Sequence, residues 1–331
     1  MRCPTLSQLL PPSPGKIGWP WTEESAQLPE TMPDGCVWPR ISIVTPSYNQ
    51  GQFIEETIRS VLLQGYPSFE YIVIDGGSTD DSKEIIQKYE PWLTYWVSEP
   101  DRGQAHAINK GFARATGDII QWVNSDDLLT PGALAEVGRL ISLNPGAMIA
   151  GGCENFWADG KSEIKYNYGL SREGLIAFWR REASYEQRSL FTPCRVMDEC
   201  GGLDETLRYC FDHEWTIRLL QRVPVVYTDR ILVKARMHPN SKTCGEASGQ
   251  SLERGEVSER YWNEVGQKRA EREHAAYRRE ETWYVILGQS LASDRRKTAK
   301  ISRLLIDICK SPWRLRLRAT WGAFRRIIFS A

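Results

Sequence analysis

The sequence predicts an α/β protein whose mostly parallel, Rossmann-like sheet is covered by helices on both faces. Three observations carry this prediction. Short β-branched runs alternate with amphipathic segments of about a dozen residues from Ile41 to about residue 145, the pattern of strands joined by crossover helices. Each apolar run ends in a polar loop, and the carboxyl ends of such strands are where open α/β sheets collect ligands. The composition, 41% hydrophobic and 25% charged over 331 residues, is that of a globular chain and favours neither disorder nor a repeat array.

Residues 1–40 carry Pro4, Pro11, Pro12, Pro14, Pro20, Pro29, Pro33 and Pro39 with Trp19, Trp21 and Trp38 between them, which predicts an extended arm that packs on something. Ile41 to Thr45 is the first strand, broken at Pro46, and Phe53 to Leu63 has helical spacing. Tyr71 to Ile74 is a second buried strand running into Asp75-Gly76-Gly77-Ser78, with Ser78 or Thr79 as cap for a helix through Tyr89. Leu93 to Val97 is a third strand, Gln104 to Ala115 a helix stopped by Gly117, and Ile119 to Val123 a fourth strand ending on Asn124-Ser125-Asp126-Asp127. Pro131 opens another helix. After residue 145 the alternation loosens into shorter strands and aromatic-rich loops up to about Met237. From Ser251 the chain reads as helix rich in Glu and Arg. The expected parts are therefore an arm (1–40), an α/β half (41–145), a second half (146–250) and a helical, basic extension (251–331).

Lys plus Arg and Asp plus Glu both total 42, so no overall field attracts nucleic acid. Eight scattered cysteines show no paired metal or redox spacing and read as reduced thiols. The N-terminus lacks a continuous apolar segment, and no window reaches the roughly 18 apolar residues of a membrane span, which places the expected location in the cytoplasm. Between Arg295 and Ala331 eleven Lys or Arg face one acid, Asp307, with Trp313, Trp321 and Phe324 interleaved. That pattern suits a peripheral contact with the inner face of the cytoplasmic membrane. A solvated helix docked on its own chain has the same composition.

Four constellations carry chemistry. Thr45-Pro46-Ser47-Tyr48-Asn49 exposes backbone and polar side chains at a strand end, suited to gripping a base and ribose, or is a plain strand-ending turn. In Asp75-Gly76-Gly77-Ser78-Thr79-Asp80 the glycines admit close approach of a ligand and the carboxylates accept hydrogen bonds. A turn with a helix cap explains Ser78 onward equally well, but not Asp75, whose burial is costly unless something pairs with it. Glu99 to Gln104 is a charged loop that positions a ligand or forms a surface turn. The carboxylates of Asn124-Ser125-Asp126-Asp127 suit a hard divalent ion sharing a diphosphate, and the same residues suit ordinary turn chemistry. No Gly-x-x-x-x-Gly-Lys-Ser/Thr phosphate loop and no Gly-x-Gly-x-x-Gly is present, which counts against kinases, nucleotidyltransferases and dehydrogenases.

From about Ile41 to about His238 these motifs resemble, in order, glycosyltransferase family 2 with its GT-A fold. The resemblance implies an inverting transfer from a nucleotide-sugar, a UDP-sugar by the likeness of the Asp75 loop, to a hydroxyl of a glycan or lipid-linked acceptor in cell-surface polysaccharide synthesis. It implies donor contacts from Pro46, Ser47, Tyr48, Asn49, Asp75, Gly77, Ser78, Asp80, Asp101, Gln104, Lys110, Asn124 and Ser125. It places Mn²⁺ or Mg²⁺ on Asp126 and Asp127, with His238 near the diphosphate as a further metal contact. Asn124 stands where the family motif has its first acid, so ligation rests mainly on Asp126. Asp212, in Phe211-Asp212-His213-Glu214-Trp215, takes the place of the catalytic base, with Phe211 where a glutamate often precedes it. A non-catalytic sugar-nucleotide-binding module is the other reading of Asn124 and Phe211, and nucleotidyl transfer is a third.

Overall fold

The computed structural model describes residues 1–239, 241 and 247–279, in one compact unit from Met1 to Arg260 and a second that begins at Tyr261. The basic stretch 295–331 lies outside the described residues. In the first unit the strand–helix alternation appears as β1 (Ile41–Ser47), α1 (Ile54–Leu62), β2 (Phe69–Asp75), α2 (Ser82–Lys88), β3 (Tyr95–Ser98), α3 (Gln104–Phe112) and β4 (Ile119–Trp122). These strands lie in the order β3-β2-β1-β4 and are parallel, with Ile43 beside Tyr71 and Gln121. Their carboxyl ends open onto one edge of the sheet. Ile41, Ile43, Tyr71 and Val73 are sealed beneath Ile54, Ile58, Val61 and Leu62 of α1, all at 0% exposure.

The second half is mixed. β5 (Leu128–Leu129) and α4 (Ala133–Leu143) lead into β6 (Met148–Trp157), β7 (Ser162–Tyr166), α5 (Arg172–Ile176), β8 (Leu190–Pro193), α6 (Met197–Cys200), α7 (Phe211–Leu219) and β9 (Val225–Met237). β8 joins β4 antiparallel and extends the sheet through β6, β9 and β5, with β7 beside β6. A further helix, α8 (Ala247–Glu259), completes the unit, so a boundary at residue 250 falls inside a helix. Glu253 of α8 accepts the backbone N–H groups of Arg208 (2.8 Å), Tyr209 (2.6 Å) and Cys210 (2.6 Å) just ahead of α7. Among the described residues no helix is long and apolar enough to cross a membrane.

The expected packing of the arm has a specific anchor. Arg59 of α1 is fully buried, and its guanidinium donates to the carbonyls of Leu10 (2.9 Å), Pro20 (3.1 Å) and Trp21 (3.0 Å) and to the Tyr89 hydroxyl (3.2 Å). Trp19 Nε1 reaches the Leu129 carbonyl at 2.9 Å. The start of α2 differs from the sequence expectation. It begins at Ser82 after Asp81, because Ser78 and Thr79 are already engaged by Asp75 and Asn49.

Candidate active site

A cleft of about 910 Å³ lies over the carboxyl ends of β1, β2 and β4 and extends to the start of α7. Its first wall is built from two loops tied together. Asn49, held at φ 52°, donates its N–H to Ser78 Oγ (2.8 Å) and accepts from Thr79 N–H (2.9 Å). Gly51 N–H reaches Asp80 Oδ2 at 2.9 Å, and Gln50 N–H reaches Ser82 Oγ at 2.9 Å. Burial works against the Asp80 carboxylate, but the Ser82 hydroxyl and the Gly51 and Ser82 N–H groups outweigh it and hold its pKa below the usual carboxylate range. Asp75, fully buried, accepts from Ser78 and Gly77 N–H groups and from the Ser78 and Ser98 hydroxyls. The pairing that its position demands is therefore internal.

The face left to the cleft belongs to Pro46, Ser47, Tyr48, Gln50, Gly76 and Gly77. Tyr48 is 59% exposed, an open ring at the wall. Gly77 sits at φ +82°, a conformation that a side chain resists, and a Cβ on Gly76 would strike the Asp101 carboxylate,. Asp101 Oδ1 accepts the Gly103 N–H at 2.7 Å. Lys110 pairs with Glu99 at 2.8 Å and braces that loop. Of the residues expected to touch the donor, Pro46, Ser47, Tyr48, Gly77, Asp101, Gln104, Asn124 and Ser125 line the cleft. Asn49, Asp75, Ser78, Asp80 and Lys110 stand behind it as supports.

The floor is the turn after β4. Gln104 Nε2 donates to Asn124 Oδ1 (2.8 Å), and Asn124 Nδ2 donates to Asp127 Oδ2 (2.9 Å). Asp127 also accepts the Arg236 N–H (3.1 Å) and faces Arg188 Nε at 3.3 Å. Burial, together with the charge of Asp126, pushes its carboxyl up to about 6. Asp126 turns the other way and meets His238 Nε2 at 3.0 Å, beside the Phe53 ring. The expected trio is thus divided. Asp126 and His238 come together, Asp127 turns inward to Arg188, and no group of three or more His, Cys, Asp or Glu able to hold a metal occurs among the described residues.

Asp212 occupies the far wall at the first turn of α7, with Tyr185, Glu186, Arg188, Gln250 and Arg254 around the same end of the cleft. Its Oδ1 accepts the His213 N–H at 2.7 Å. Burial raises its pKa, against the pull of that N–H and of the Arg254 and Arg188 charges. Burial raises Glu186 as well, opposed by Arg188 and Lys165. Four cleft-lining side chains, Ser47, Gln50, Gln187 and Arg254, each hold a buried polar atom without a hydrogen-bond partner. Native proteins satisfy nearly all such atoms, so their gathering on one cleft points to a polar ligand there. Sequence reasoning missed Glu186, Arg188 and Arg254. The Glu186-Gln187-Arg188 run just before an apolar strand was the available signal for the first two.

A sheet of this topology, with polar loops at the carboxyl ends of its parallel strands, has the arrangement of the GT-A fold. The sequence model described as glycosyl transferase family 2 matches residues 42–202. An uncharacterized glycosyltransferase of Mycobacterium tuberculosis is 31% identical over 188 residues, covering 54% of this chain and 68% of that protein. One from Rickettsia typhi is 26% identical over 211 residues, covering 62% and 66%. A putative teichuronic acid biosynthesis glycosyltransferase of Bacillus subtilis, TuaG, is 40% identical over 92 residues, 27% of this chain and 36% of TuaG. The chain thus spans about two thirds of the first two relatives. The crystal structure of S. aureus TarS 1-349 in complex with UDP-GlcNAc superposes with a TM-score of 0.52 at 18% identity, over 62% of this chain and 61% of that one. The protein belongs to glycosyltransferase family 2.

Proposed function

We propose that the protein is an inverting glycosyltransferase that moves a sugar from a UDP-sugar to a hydroxyl of a glycan or lipid-linked acceptor in cell-surface polysaccharide synthesis. One observation carries the reading: a single cleft holds Asp126 on its floor, with His238 3.0 Å from that carboxylate, and the half-buried Asp212 on its far wall. The TarS complex with UDP-GlcNAc and the teichuronic acid assignment of TuaG support the donor and the pathway class. In this reading the open Tyr48 ring and the backbone at Gly76 and Gly77 take the base, while Asp101 and the Gln104–Asn124 pair fix the ribose and diphosphate.

Asp126 and His238 fit a divalent ion. Their oxygen and nitrogen are 3.0 Å apart, the spacing of two adjacent ligands on an octahedral ion bound at about 2.1 Å. The carboxylate suits Mn²⁺ or Mg²⁺, and the imidazole nitrogen favours Mn²⁺ over the oxygen-seeking Mg²⁺. Bound there, the ion would supply positive charge for the departing diphosphate. The chain's own part is the proton. Asp212 takes it from the acceptor hydroxyl as attack proceeds, and its raised pKa makes it a better base than a free carboxylate, a role worth about 10²- to 10⁴-fold.

The test is release of nucleoside diphosphate by the purified chain with Mn²⁺ and a panel of nucleotide-sugars. Asp212→Asn should lose turnover by that factor and still bind donor. Failure to bind any nucleotide-sugar sinks the transferase reading, and binding without turnover across a broad acceptor panel leaves a sugar-nucleotide-binding module. Pyrophosphate in place of the nucleoside diphosphate would indicate nucleotidyl transfer.

A further inference from the structure

We propose that the acceptor carries an anionic group, a carboxylate or a phosphate, beside the hydroxyl that is attacked, and that Arg254 receives it. The inference rests on the transferase reading above and names the class of its second substrate. Arg254 lies one turn after Gln250 on α8, and both side chains line the Asp212 end of the cleft. Every other cation of the cleft wall has an acid. Arg236 meets Glu56 at 2.7 Å, Arg188 meets Asp127 at 3.3 Å and Glu186 at 3.7 Å, and Lys165 meets Glu163 at 3.6 Å. Arg254 has no carboxylate within 4.0 Å among the described residues. Its guanidinium lies 5.5 Å from the centre of the Phe178 ring, and its Nε is buried without an acceptor.

A guanidinium stays charged at any working pH, so this wall holds a permanent cation short of hydrogen-bond acceptors. The Gln187 side-chain nitrogen, on the lining of the same cleft, is a second buried donor without an acceptor. The deficit is thus of negative oxygen, and the cleft is the direction from which a ligand can supply it. Asp212 is near enough to feel the Arg254 charge but makes no ion pair with it. Such a pair would occupy lone pairs that the base needs for the acceptor proton. An anionic group on the acceptor fills the Arg254 fork with bidentate hydrogen bonds, leaves Asp212 free and sets the neighbouring hydroxyl against it.

The experiment measures binding to the full chain in the presence of UDP, by titration calorimetry or saturation-transfer NMR. The probes are methyl β-glucuronide, methyl β-glucoside and inorganic phosphate. Wild type should bind the glucuronide at least about 10-fold more tightly than the glucoside, the effect of one charge-assisted hydrogen bond. Phosphate should compete for the same place, and the tighter of the two anions tells carboxylate from phosphate. Arg254→Gln should erase the preference, Arg254→Lys should keep part of it, and UDP affinity should stay the same in both, showing an intact fold. Equal binding of the two glycosides by wild type, absence of binding by either anion, or an unchanged preference in Arg254→Gln overturns the proposal. If Arg254 served only to tune Asp212, its loss would affect charged and neutral probes alike. Should UDP itself fail to bind, the transferase reading falls, while charge-selective binding is still read from the probes.

Discussion

Replacing Arg188 with Met should weaken the protein from the middle of the cleft, and in a pH-dependent way. The change keeps most of the stem and removes the guanidinium that faces Asp127 at 3.3 Å and Glu186 at 3.7 Å. Their side chains are 4% and 13% exposed, so water cannot take its place. Breaking a buried pair by removing one partner costs about 3–5 kcal/mol. Asp127 has a way to limit that loss. Its carboxyl already titrates at about 6, so protonating it at pH 7 costs only about 1.4 kcal/mol, one pH unit, and less once the cation is gone. The folded pKa stands above the unfolded 3.8, so the penalty on the charged form is present above the folded pKa and is relieved as pH falls through it. We expect a loss of roughly 2–3 kcal/mol at pH 8 that narrows toward pH 6. Urea unfolding at pH 8, 7 and 6, followed by tryptophan fluorescence, measures it. A loss under about 0.5 kcal/mol at pH 8, the range of an ordinary surface change, or a gap that widens on acidification, would refute the argument.

The acid limb of turnover should lie above the ordinary aspartate value of about 4, since burial outweighs the His213 N–H and the two arginine charges in raising Asp212. A rate profile still flat at pH 4 would contradict this. Burial holds His213 neutral down to about 3, against 6.5 when free. That depressed value contributes stability in full above pH 6.5, and the contribution is lost progressively as pH falls toward 3,. Unfolding midpoints of wild type and His213→Gln should therefore converge between pH 7 and 4, by up to roughly 3 kcal/mol. Arg59→Met leaves the buried Pro20 and Trp21 carbonyls without their donor, together with that of Leu10, and should cost roughly 2–5 kcal/mol. It should also open residues 1–40 to limited proteolysis, and an arm as protected as in wild type would count against Arg59 as its anchor.

The parallel half of the fold was legible because its signals are local. β-Branched runs such as Ile41 to Thr45 and helical spacing such as Phe53 to Leu62 need no distant partner to be read. The loop motifs were legible as loops, but which side of a loop faces the ligand depends on contacts made across the sheet. Asp75 shows this: its place after an apolar strand marked it as needing partners, and Ser98, which supplies one, lies on the next strand. Asp126 and Asp127 are neighbours in sequence and point to opposite partners, His238 and Arg188, both brought in from the second half of the sheet. Arg254 gave no local signal. It reaches the cleft only because α8 packs beside α7.

That packing bears on where a working fragment of this enzyme can be cut. The family match stops at residue 202, before Asp212, and a cut near residue 250 would look safe from the sequence. Yet the three N–H groups that precede the helix of Asp212 all end on the carboxylate of Glu253. A chain shortened to residue 250 would keep every motif residue and lose the clamp that aims one of them. The smallest piece expected to hold Asp212 in register runs to Arg260, which reaches back to Asp204 at 2.8 Å.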